Sequence, residues 1–174
     1  MTHSSYTTRR AFLIATAAVG GLILRGKPTV AQQAEQSADT ILSVVPAPGA
    51  AQVYFSDADL AEMPAVTFET STIWTEGIQE FSGPSLAGVL EAAGMSDSVR
   101  EIQLTALNDY AVRMDMAQVE SAAPIVANRI NGAPFSVREK GPLWVVFPYD
   151  SAPRYRAESI FAVCVLQLRH IEAL

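Results

Sequence analysis

The sequence comprises 174 residues, of which 17% are charged, and it contains a single cysteine. Its formal net charge at pH 7 is −6, but four of the 12 basic residues and none of the 18 acidic ones fall in the first 31 positions, so the remaining chain carries −10. This acidic balance argues against nucleic acid or an anionic membrane as a partner, and one cysteine excludes an intrachain disulfide.

The first 31 residues are organised as a twin-arginine signal peptide. The pair Arg9-Arg10 precedes an apolar run from Ala11 to Leu24, whose 14 residues fall short of the roughly 20 that a membrane-spanning helix needs. Thr29-Val30-Ala31 matches the small-x-small pattern of a cleavage site. We therefore expect twin-arginine export, cleavage after Ala31, and a mature chain without a membrane span in the periplasm or another extracytoplasmic compartment. The alternative is that the segment is retained as an anchor.

Strands dominate the predicted secondary structure of the rest of the chain. Residues 32–52 are expected to form a leader and a first strand, and residues 53–174 a single domain. Runs that alternate in polarity or are rich in β-branched residues are typical of strands. Such runs cover residues 41–45, 53–55, 66–74, 78–81, 102–107, 111–114, 125–130, 143–147 and 160–171.

Two or three short helices are predicted between these strands. The first follows the capping residue Ser56, the second opens at Gly83-Pro84-Ser85 and ends at Gly94, and the third covers 117–123. Turns or loops are predicted at 75–77, 108–110, 131–132, 137–142 and 149–158. The pattern as a whole predicts a strand-rich α+β domain of mixed α/β architecture.

Cysteine and histidine are too scarce for several kinds of site. Cys164 lies in the apolar run 160–166, which is typical of a buried strand, so its thiol is predicted to be a small core residue. His170 is the one histidine after the signal segment, so a Ser-His-Asp triad would have to depend on it. Zinc sites built from Cys and His clusters are excluded, and no glycine-rich phosphate loop is present.

Three segments share their spacing with a known family. Residues 81–94 follow the pattern F-x-G-x-x-L-x-x-x-L-x-x-A-G, residues 125–135 contain a strand followed by Asn-Gly-x-Pro, and residues 140–148 contain a Gly-Pro segment that ends in proline. In this order they resemble the sulfite-oxidase-type molybdopterin-binding domain family, including a short exported subgroup, over roughly residues 53–171. The resemblance implies a mixed α/β fold, a pterin–molybdenum cofactor and redox chemistry on small oxyanions or sulfoxides.

The chain departs from this family where the resemblance places the cofactor. The family's molybdenum-binding cysteine lies in a loop before the first of these segments, but residues 70–77 contain no cysteine. Trp144 stands where the family often has an arginine beside the pterin, and the cofactor loop is shortened to the turn Glu76-Gly77. Because a hydroxyl cannot replace a soft thiolate at equal affinity, we assign no catalytic or metal-binding residue. We expect no bound cofactor, with molybdopterin as the alternative that the resemblance implies.

The predicted binding site is assembled from loops and turns. Residues 32–99 contain ten acidic residues and no Lys or Arg, so the cations for an anionic ligand must come from the second half. Two basic loops border the strand 143–148, and several turns lie where they could face the same pocket. The candidates are Trp74, Asn108, Asp109, Tyr110, Arg138, Lys140, Arg154, Tyr155 and Arg156. The alternative is that the basic residues pair on the surface with Glu139, Asp150 and Glu158.

Three functions follow from these observations. The first is an exported, cofactor-free member of the sulfite-oxidase-type fold that acts as a ligand-binding, sensory or accessory module. The second is an active molybdopterin-dependent oxidoreductase that acts on a small oxyanion or sulfoxide and holds the metal without cysteine. The third is a structural or interaction domain exported beside a redox or sensor partner protein.

Overall fold

The strand-rich, mixed α/β class predicted from the sequence is confirmed by the computed structural model. The structure describes residues 37–174, so the predicted signal peptide and residues 32–36 lie outside the described residues. The strands are β1 (Thr40–Val45), β2 (Val53–Ser56), β3 (Ala65–Ser71), β4 (Ile78–Pro84), β5 (Glu101–Ala106), β6 (Ala111–Asp115), β7 (Ile125–Ala127), β8 (Arg129–Ile130), β9 (Trp144–Val146) and β10 (Leu168–Ala173). The helices are α1 (Asp57–Glu62), α2 (Leu86–Ala92) and α3 (Glu158–Phe161). None of these helices is long and apolar enough to cross a membrane.

A five-stranded sheet has the strand order β2-β1-β10-β5-β6. β1 runs parallel to β10, and the other neighbours are antiparallel. Successive side chains of a strand point to opposite faces, and in β5 Ile102 and Leu104 are buried while Gln103 and Thr105 are half-buried. One face of this sheet therefore packs on the core, and the other carries polar side chains.

Two smaller sheets complete the fold. β3, β4 and β8 form one of them, and β7 pairs with β9 in the other. Every residue of β7 and of β9 is buried, as expected for the all-apolar run 143–147. Trp144 packs against Phe81 and Phe135, with ring centroids 5.7 Å from each. Trp144 and Phe147 are core residues, since they are 1% and 0% exposed.

The first two helices begin at the serines that the sequence indicates. Ser56 caps α1 in a capping box with Asp59, and these hydrogen bonds lower the pKa of Asp59. Ser85 caps α2 by accepting from the Gly88 backbone N–H. Pro84, however, ends β4 instead of opening the helix, because this strand continues alongside β7, where a Cβ on Gly83 would lie 2.2 Å from the Val126 carbonyl oxygen.

The long final strand predicted over 160–171 is wrong. Residues up to Phe161 belong to α3, Cys164 lies in irregular backbone, and β10 begins only at Leu168. The helical turn is closed by the Ala162 N–H donating to the Glu158 carbonyl at 2.9 Å. An apolar run indicates that a segment is buried, but it does not distinguish a strand from a buried irregular segment.

Two other predicted elements are divided or shortened. The strand predicted over 125–130 is interrupted at Asn128, whose side chain donates to Asp57 at 3.1 Å, and its two halves join different sheets. The helix predicted over 117–123 is a single 3-10 turn at Met116–Gln118, since the Asp115 carboxylate accepts from the Ala117 N–H and caps only that turn.

Candidate functional site

A cleft of about 370 Å³ opens beside the turn between β5 and β6, a volume near the lower end of small-molecule sites. Four of the nine predicted candidates line it, and they come from three separate turns. They are Trp74, Asn108, Tyr110 and Lys140. The other lining residues are Ala106, Phe161, Cys164, Leu166 and Gln167. We call this site the turn cleft.

The turn between β5 and β6 presents a tyrosine to the turn cleft. Asn108 Oδ1 accepts from the Tyr110 N–H at 3.1 Å, which is the local side-chain bond that favours asparagine in turns. Asp109 has a φ of 64°, a left-handed conformation that aspartate tolerates. Tyr110 is 52% exposed, so its ring is available as an apolar surface beside the cleft.

Trp74 reaches the same cleft from the turn between β3 and β4. Its backbone N–H donates to Thr72 Oγ1 at 3.1 Å, and that hydroxyl lies 2.8 Å from Thr75 Oγ1. These bonds end β3 at Ser71, so the strand predicted as far as Trp74 is too long by three residues. The half-buried indole therefore lies on a turn that its own side-chain hydrogen bonds hold in place.

Lys140 supplies the cation of the turn cleft. Its φ is 70°, and its carbonyl accepts from Trp144 Nε1 at 2.5 Å and from the Gln167 N–H at 3.1 Å. Its ammonium group forms no ion pair or hydrogen bond with residues 37–174. The neighbouring Glu139 is engaged elsewhere, because its carboxylate accepts from the backbone and side chain of Ser136, and these bonds lower its pKa.

The predicted arginines of the second basic loop lie outside the turn cleft and are paired. Arg154 donates to Glu120 at 3.2 Å and to the Tyr155 hydroxyl at 2.8 Å, and its guanidinium stacks 4.4 Å from the Tyr155 ring. Arg156 donates to Asp150 at 2.6 Å. Surface pairing with Asp150, expected as the alternative, therefore occurs for Arg156, whereas the partner of Arg154 is a different carboxylate.

Tyr155, Asp109 and Arg138 also lie outside the turn cleft. Asp109 accepts from Arg169 at 2.5 Å. Arg138 is exposed, and in the described part of the chain it has no carboxylate partner. The structure thus brings together Trp74, Asn108, Tyr110 and Lys140. The four other charged candidates are exposed, and Tyr155 is a core residue that is 6% exposed.

Asp150 connects the end of β3 to the second basic loop. Its carboxylate accepts from the Ser71 backbone N–H at 2.6 Å, from the Ser71 hydroxyl and from Arg156. These contacts, led by the Ser71 backbone hydrogen bond, lower the pKa of Asp150 to about 2. The Asp150 N–H also donates to Thr70 Oγ1 at 3.1 Å. The end of β3, where the sequence resemblance would place a metal-binding loop, is therefore held by hydroxyl and carboxylate hydrogen bonds.

The floor of the turn cleft contains a buried thiol above a buried phenol. Cys164 is 5% exposed and donates to the Val145 carbonyl at 2.8 Å, and burial raises the pKa of the thiol to about 12. Tyr149 stacks on Phe161 with ring centroids 4.7 Å apart. Its buried hydroxyl has no oxygen or nitrogen partner among the described residues and lies beside the Cys164 thiol, and burial, followed by that thiol, raises its pKa far above the usual value. Both groups therefore stay neutral near pH 7.

The sequence analysis missed part of the cleft wall. Phe161, Leu166 and Gln167 line the site, but all three were placed in a continuous final strand. Gln167 has a φ of 56° and donates through Nε2 to the Val137 carbonyl at 2.9 Å. A glutamine inside an otherwise apolar run was the one available signal that the strand is interrupted there.

Three observations on the side chains of residues 37–174 bear on metal binding. No group of three or more His, Cys, Asp and Glu side chains within residues 37–174 is arranged to hold a metal ion. The hydroxyls of Thr70, Thr72 and Thr75 take part in hydrogen bonds with one another or with nearby groups. The thiol of Cys164 is protonated, whereas the thiolate is the form that binds metals.

Comparison with known proteins shows a likeness of fold. No protein-family model and no curated protein sequence matches the chain. Among solved structures it is similar to the sulfane dehydrogenase SoxCD from Paracoccus pantotrophus, with a TM-score of 0.57 and 18% sequence identity. The match covers 80% of this chain but only 39% of that chain. It supports the sulfite-oxidase-type fold that the three sequence segments predict.

Proposed function

We propose that this chain is an exported ligand-binding or accessory module on a sulfite-oxidase-type fold, and that it binds a small anionic ligand in the turn cleft without a molybdenum cofactor. The observation that carries this proposal is the meeting of Trp74, Tyr110 and Lys140 in one cleft. Two aromatic rings and one ammonium group suit a small ligand that has an anionic group and a flat or apolar part.

The charge distribution favours Lys140 as the anchor for that ligand. Arg154 and Arg156 already donate to carboxylates, so a ligand would have to displace those partners. The Lys140 ammonium has no such partner in the described part of the chain, and its backbone is fixed by Trp144 and Gln167. An ammonium group on a fixed backbone is a suitable point charge for an oxyanion.

The donor chemistry of the site does not fit a thiolate-bound molybdenum. The hydroxyls at the corresponding loop hold the turn and the Asp150 contact together. Cys164 is buried, protonated and hydrogen-bonded to a carbonyl, and soft metals need the thiolate. These facts support a cofactor-free module over a cofactor enzyme.

The second candidate is an active molybdopterin-dependent oxidoreductase for a small oxyanion or sulfoxide, with the metal held by a ligand other than cysteine. The likeness to a sulfane dehydrogenase favours it. The match covers about two fifths of the length of that neighbour. An accessory role beside an exported redox or sensor protein is therefore part of the first proposal.

The first experiment measures molybdenum and pterin in protein purified from the periplasmic fraction of a molybdenum-replete host. We expect neither at stoichiometric level. Stoichiometric molybdenum together with pterin fluorescence would overturn the cofactor-free proposal, and Thr72, Thr75 and Glu76 would then be tested as metal ligands. Recovery of the protein only from the cytoplasm would contradict export.

The second experiment locates the ligand site. Sulfite and sulfate serve as probes, and calorimetry with tryptophan fluorescence measures binding, since Trp74 lines the cleft while Trp144 is buried. Replacing Lys140 by Gln is expected to weaken binding by about tenfold or more, because it removes a charge-assisted contact. Arg154→Gln is the matched control and should change the affinity by less than about twofold, as is usual for an exposed ion pair. Equal losses in both variants would remove the turn cleft as the site.

A further inference from the structure

A second cleft lies on the polar face of the five-stranded sheet and is larger than the turn cleft. Its volume is about 540 Å³, and it is lined by residues of β1, β5 and β10, by the segment before and within β2, and by the loop at 137–142. We call it the sheet cleft. None of the residues considered so far as candidates lines it, so it is independent of the proposed function.

Two β-bulges on neighbouring strands shape the sheet cleft. The register between β10 and β5 shifts between Leu168 and His170, and the register between β1 and β2 shifts between Thr40 and Leu42. A bulge adds one residue to a strand and redirects its side chains. Because of the first bulge, Arg169 and His170, although consecutive, both line the cleft, while Leu168 and Ile171 are buried.

The charge of the sheet cleft differs from that of the protein. Among the described residues that line it, Arg169 is the one formal cation and there is no Asp or Glu. This is unexpected for a chain whose residues after position 31 carry a net charge of −10. Hydroxyl, amide and imidazole groups supply further donors, and Ile41, Leu107 and Val137 form an apolar wall.

Hydrogen bonds arrange the neutral donors around His170. Ser43 Oγ lies 3.3 Å from the Arg169 carbonyl oxygen and 2.8 Å from His170 Nδ1, and the tautomer of the ring sets which atom donates in the second contact. Ser43 therefore links the backbone of β10 to the His170 ring. The other ring nitrogen lies 3.5 Å from Glu172, outside the cleft.

Gln52 and Tyr54 extend this network across β2. The Tyr54 hydroxyl donates to Gln52 Oε1 at 3.2 Å, which fixes the orientation of the amide. Gln52 Nε2 lies 3.4 Å from His170 Nδ1, and because an amide nitrogen carries two N–H groups, one of them is left to serve a ligand. An oriented amide beside a guanidinium is a donor set that suits an oxyanion.

The ion pair of Arg169 does not close the cleft. Arg169 donates to Asp109, but the Asp109 side chain is 80% exposed. An exposed pair contributes little free energy, so an oxyanion that reaches the guanidinium from the cleft competes with Asp109 at small cost.

We propose that the sheet cleft binds a small organic oxyanion, with a carboxylate or sulfonate group held by Arg169 and Gln52 beside His170 and a short apolar body against Leu107 and Val137. The two bulges create the site by aiming consecutive side chains to one face, and the absence of lining carboxylates makes it selective for negative charge. This proposal requires no molybdenum and does not depend on what occupies the turn cleft.

Calorimetry on the exported protein with benzoate and benzenesulfonate tests the proposal, with uncharged benzamide as the control ligand. We expect saturable binding of both anions and not of benzamide. Arg169→Gln should weaken binding by about tenfold or more because it removes the charge-assisted contact. Arg113→Gln is the matched control, since it removes another exposed, ion-paired arginine of the same sheet and should leave the affinity unchanged.

A variant that binds benzoate more tightly distinguishes this proposal from an indirect loss of affinity through unfolding. Asp109→Asn keeps a residue that tolerates the left-handed conformation and releases Arg169 from its carboxylate, so it should tighten benzoate binding about threefold. If Arg169→Gln leaves benzoate binding unchanged, or if Asp109→Asn weakens it, the sheet cleft is not the anion site.

Discussion

The turn cleft and the sheet cleft lie on two sides of the same segments but are built by different means. At the end of β5, Ala106 and Asn108 line the turn cleft while Thr105 and Leu107 line the sheet cleft. The alternation of side chains along an extended backbone produces this division. The turn cleft takes its polar groups from turns, whereas the sheet cleft takes them from strands whose register is shifted by bulges.

This difference determines what each cleft requires to keep its shape. The turn cleft depends on local hydrogen bonds within three turns and on the packing of Tyr149, Phe161 and Cys164 beneath it. The sheet cleft depends on strand pairing, which is supported by the whole core face. We therefore expect changes in the turns to affect the first cleft alone and changes in the shared wall at 137–142 to affect both.

The largest effect is expected for Gly141→Ala, which alters that shared wall. Gly141 lies between Lys140 of the turn cleft and Pro142 of the sheet cleft, and a Cβ there would lie 2.2 Å from the Phe135 carbonyl oxygen. The backbone must move, so urea denaturation should show a loss of about 3 kcal/mol in the free energy of unfolding, and both clefts should lose affinity.

Gly132→Ala is the control for this change. Gly132 has a φ of 76°, but a Cβ there meets no atom within 4 Å, so the expected cost is about 1 kcal/mol of backbone strain. Binding in both clefts should be retained. If Gly141→Ala impairs one cleft only, the wall is not shared.

A smaller effect is expected for Tyr149→Phe, which changes only the support of the turn cleft. Within residues 37–174 the buried Tyr149 hydroxyl has no oxygen or nitrogen partner and only the Cys164 thiol beside it, so its removal should raise the free energy of unfolding by up to about 1 kcal/mol. Tyr155→Phe is the matched control. The Tyr155 hydroxyl donates to Glu120 at 3.0 Å and accepts from Arg154, so its removal should lower the free energy of unfolding by about 1 kcal/mol. Equal losses in the two variants would show that Tyr149 has a partner.

The smallest effect is a pH dependence at the end of β3. The pKa of Asp150 is lowered to about 2, so the charged carboxylate stabilises the folded state fully above the unfolded pKa near 4, and this contribution is lost as the pH falls through about 2. The urea midpoint of Asp150→Asn should therefore lie furthest below that of the wild type near pH 6 and approach it by pH 2.

Asp97→Asn serves as the control for the pH series, because the Asp97 carboxylate makes no hydrogen bond within residues 37–174. Its midpoint should follow that of the wild type at every pH. A constant difference between Asp150→Asn and the wild type would show that the carboxylate acts through shape and not through charge. Asp150→Asn should change the Trp74 fluorescence, but it should leave benzoate binding in the sheet cleft unchanged.

Much of the fold could be predicted because the signals are local. The strand β5 alternates in polarity, α1 begins at a serine with an acidic residue three positions later, and Asn108 marks a turn. The run from 160 to 171 could not be assigned correctly, since burial explains its composition whether it is a strand or not. The insertion of one residue at Arg169 does not alter the residue types of the segment, so the bulge could not be predicted from the sequence.

The candidate site could be predicted only in part for a similar reason. Trp74, Asn108, Tyr110 and Lys140 lie on turns, and turn residues near a central strand are good candidates for a cleft. Whether a basic side chain is available to a ligand depends on ion pairs between residues that are distant in sequence. Arg154 and Glu120 are 34 residues apart, and no local pattern links them. The sequence identifies the charged residues, but it does not identify their ion-pair partners.

The pairing of β1 with β10 also governs how this protein folds. Ser43 and His170 are neighbours across that pair although they are 127 positions apart, and β10 lies between β1 and β5 in the sheet. Closing so long a loop costs entropy before any contact compensates for it, which slows folding. Until β10 docks, β1 and β5 each present an open edge to other chains. We therefore expect aggregation during folding to be favoured before β10 docks between β1 and β5.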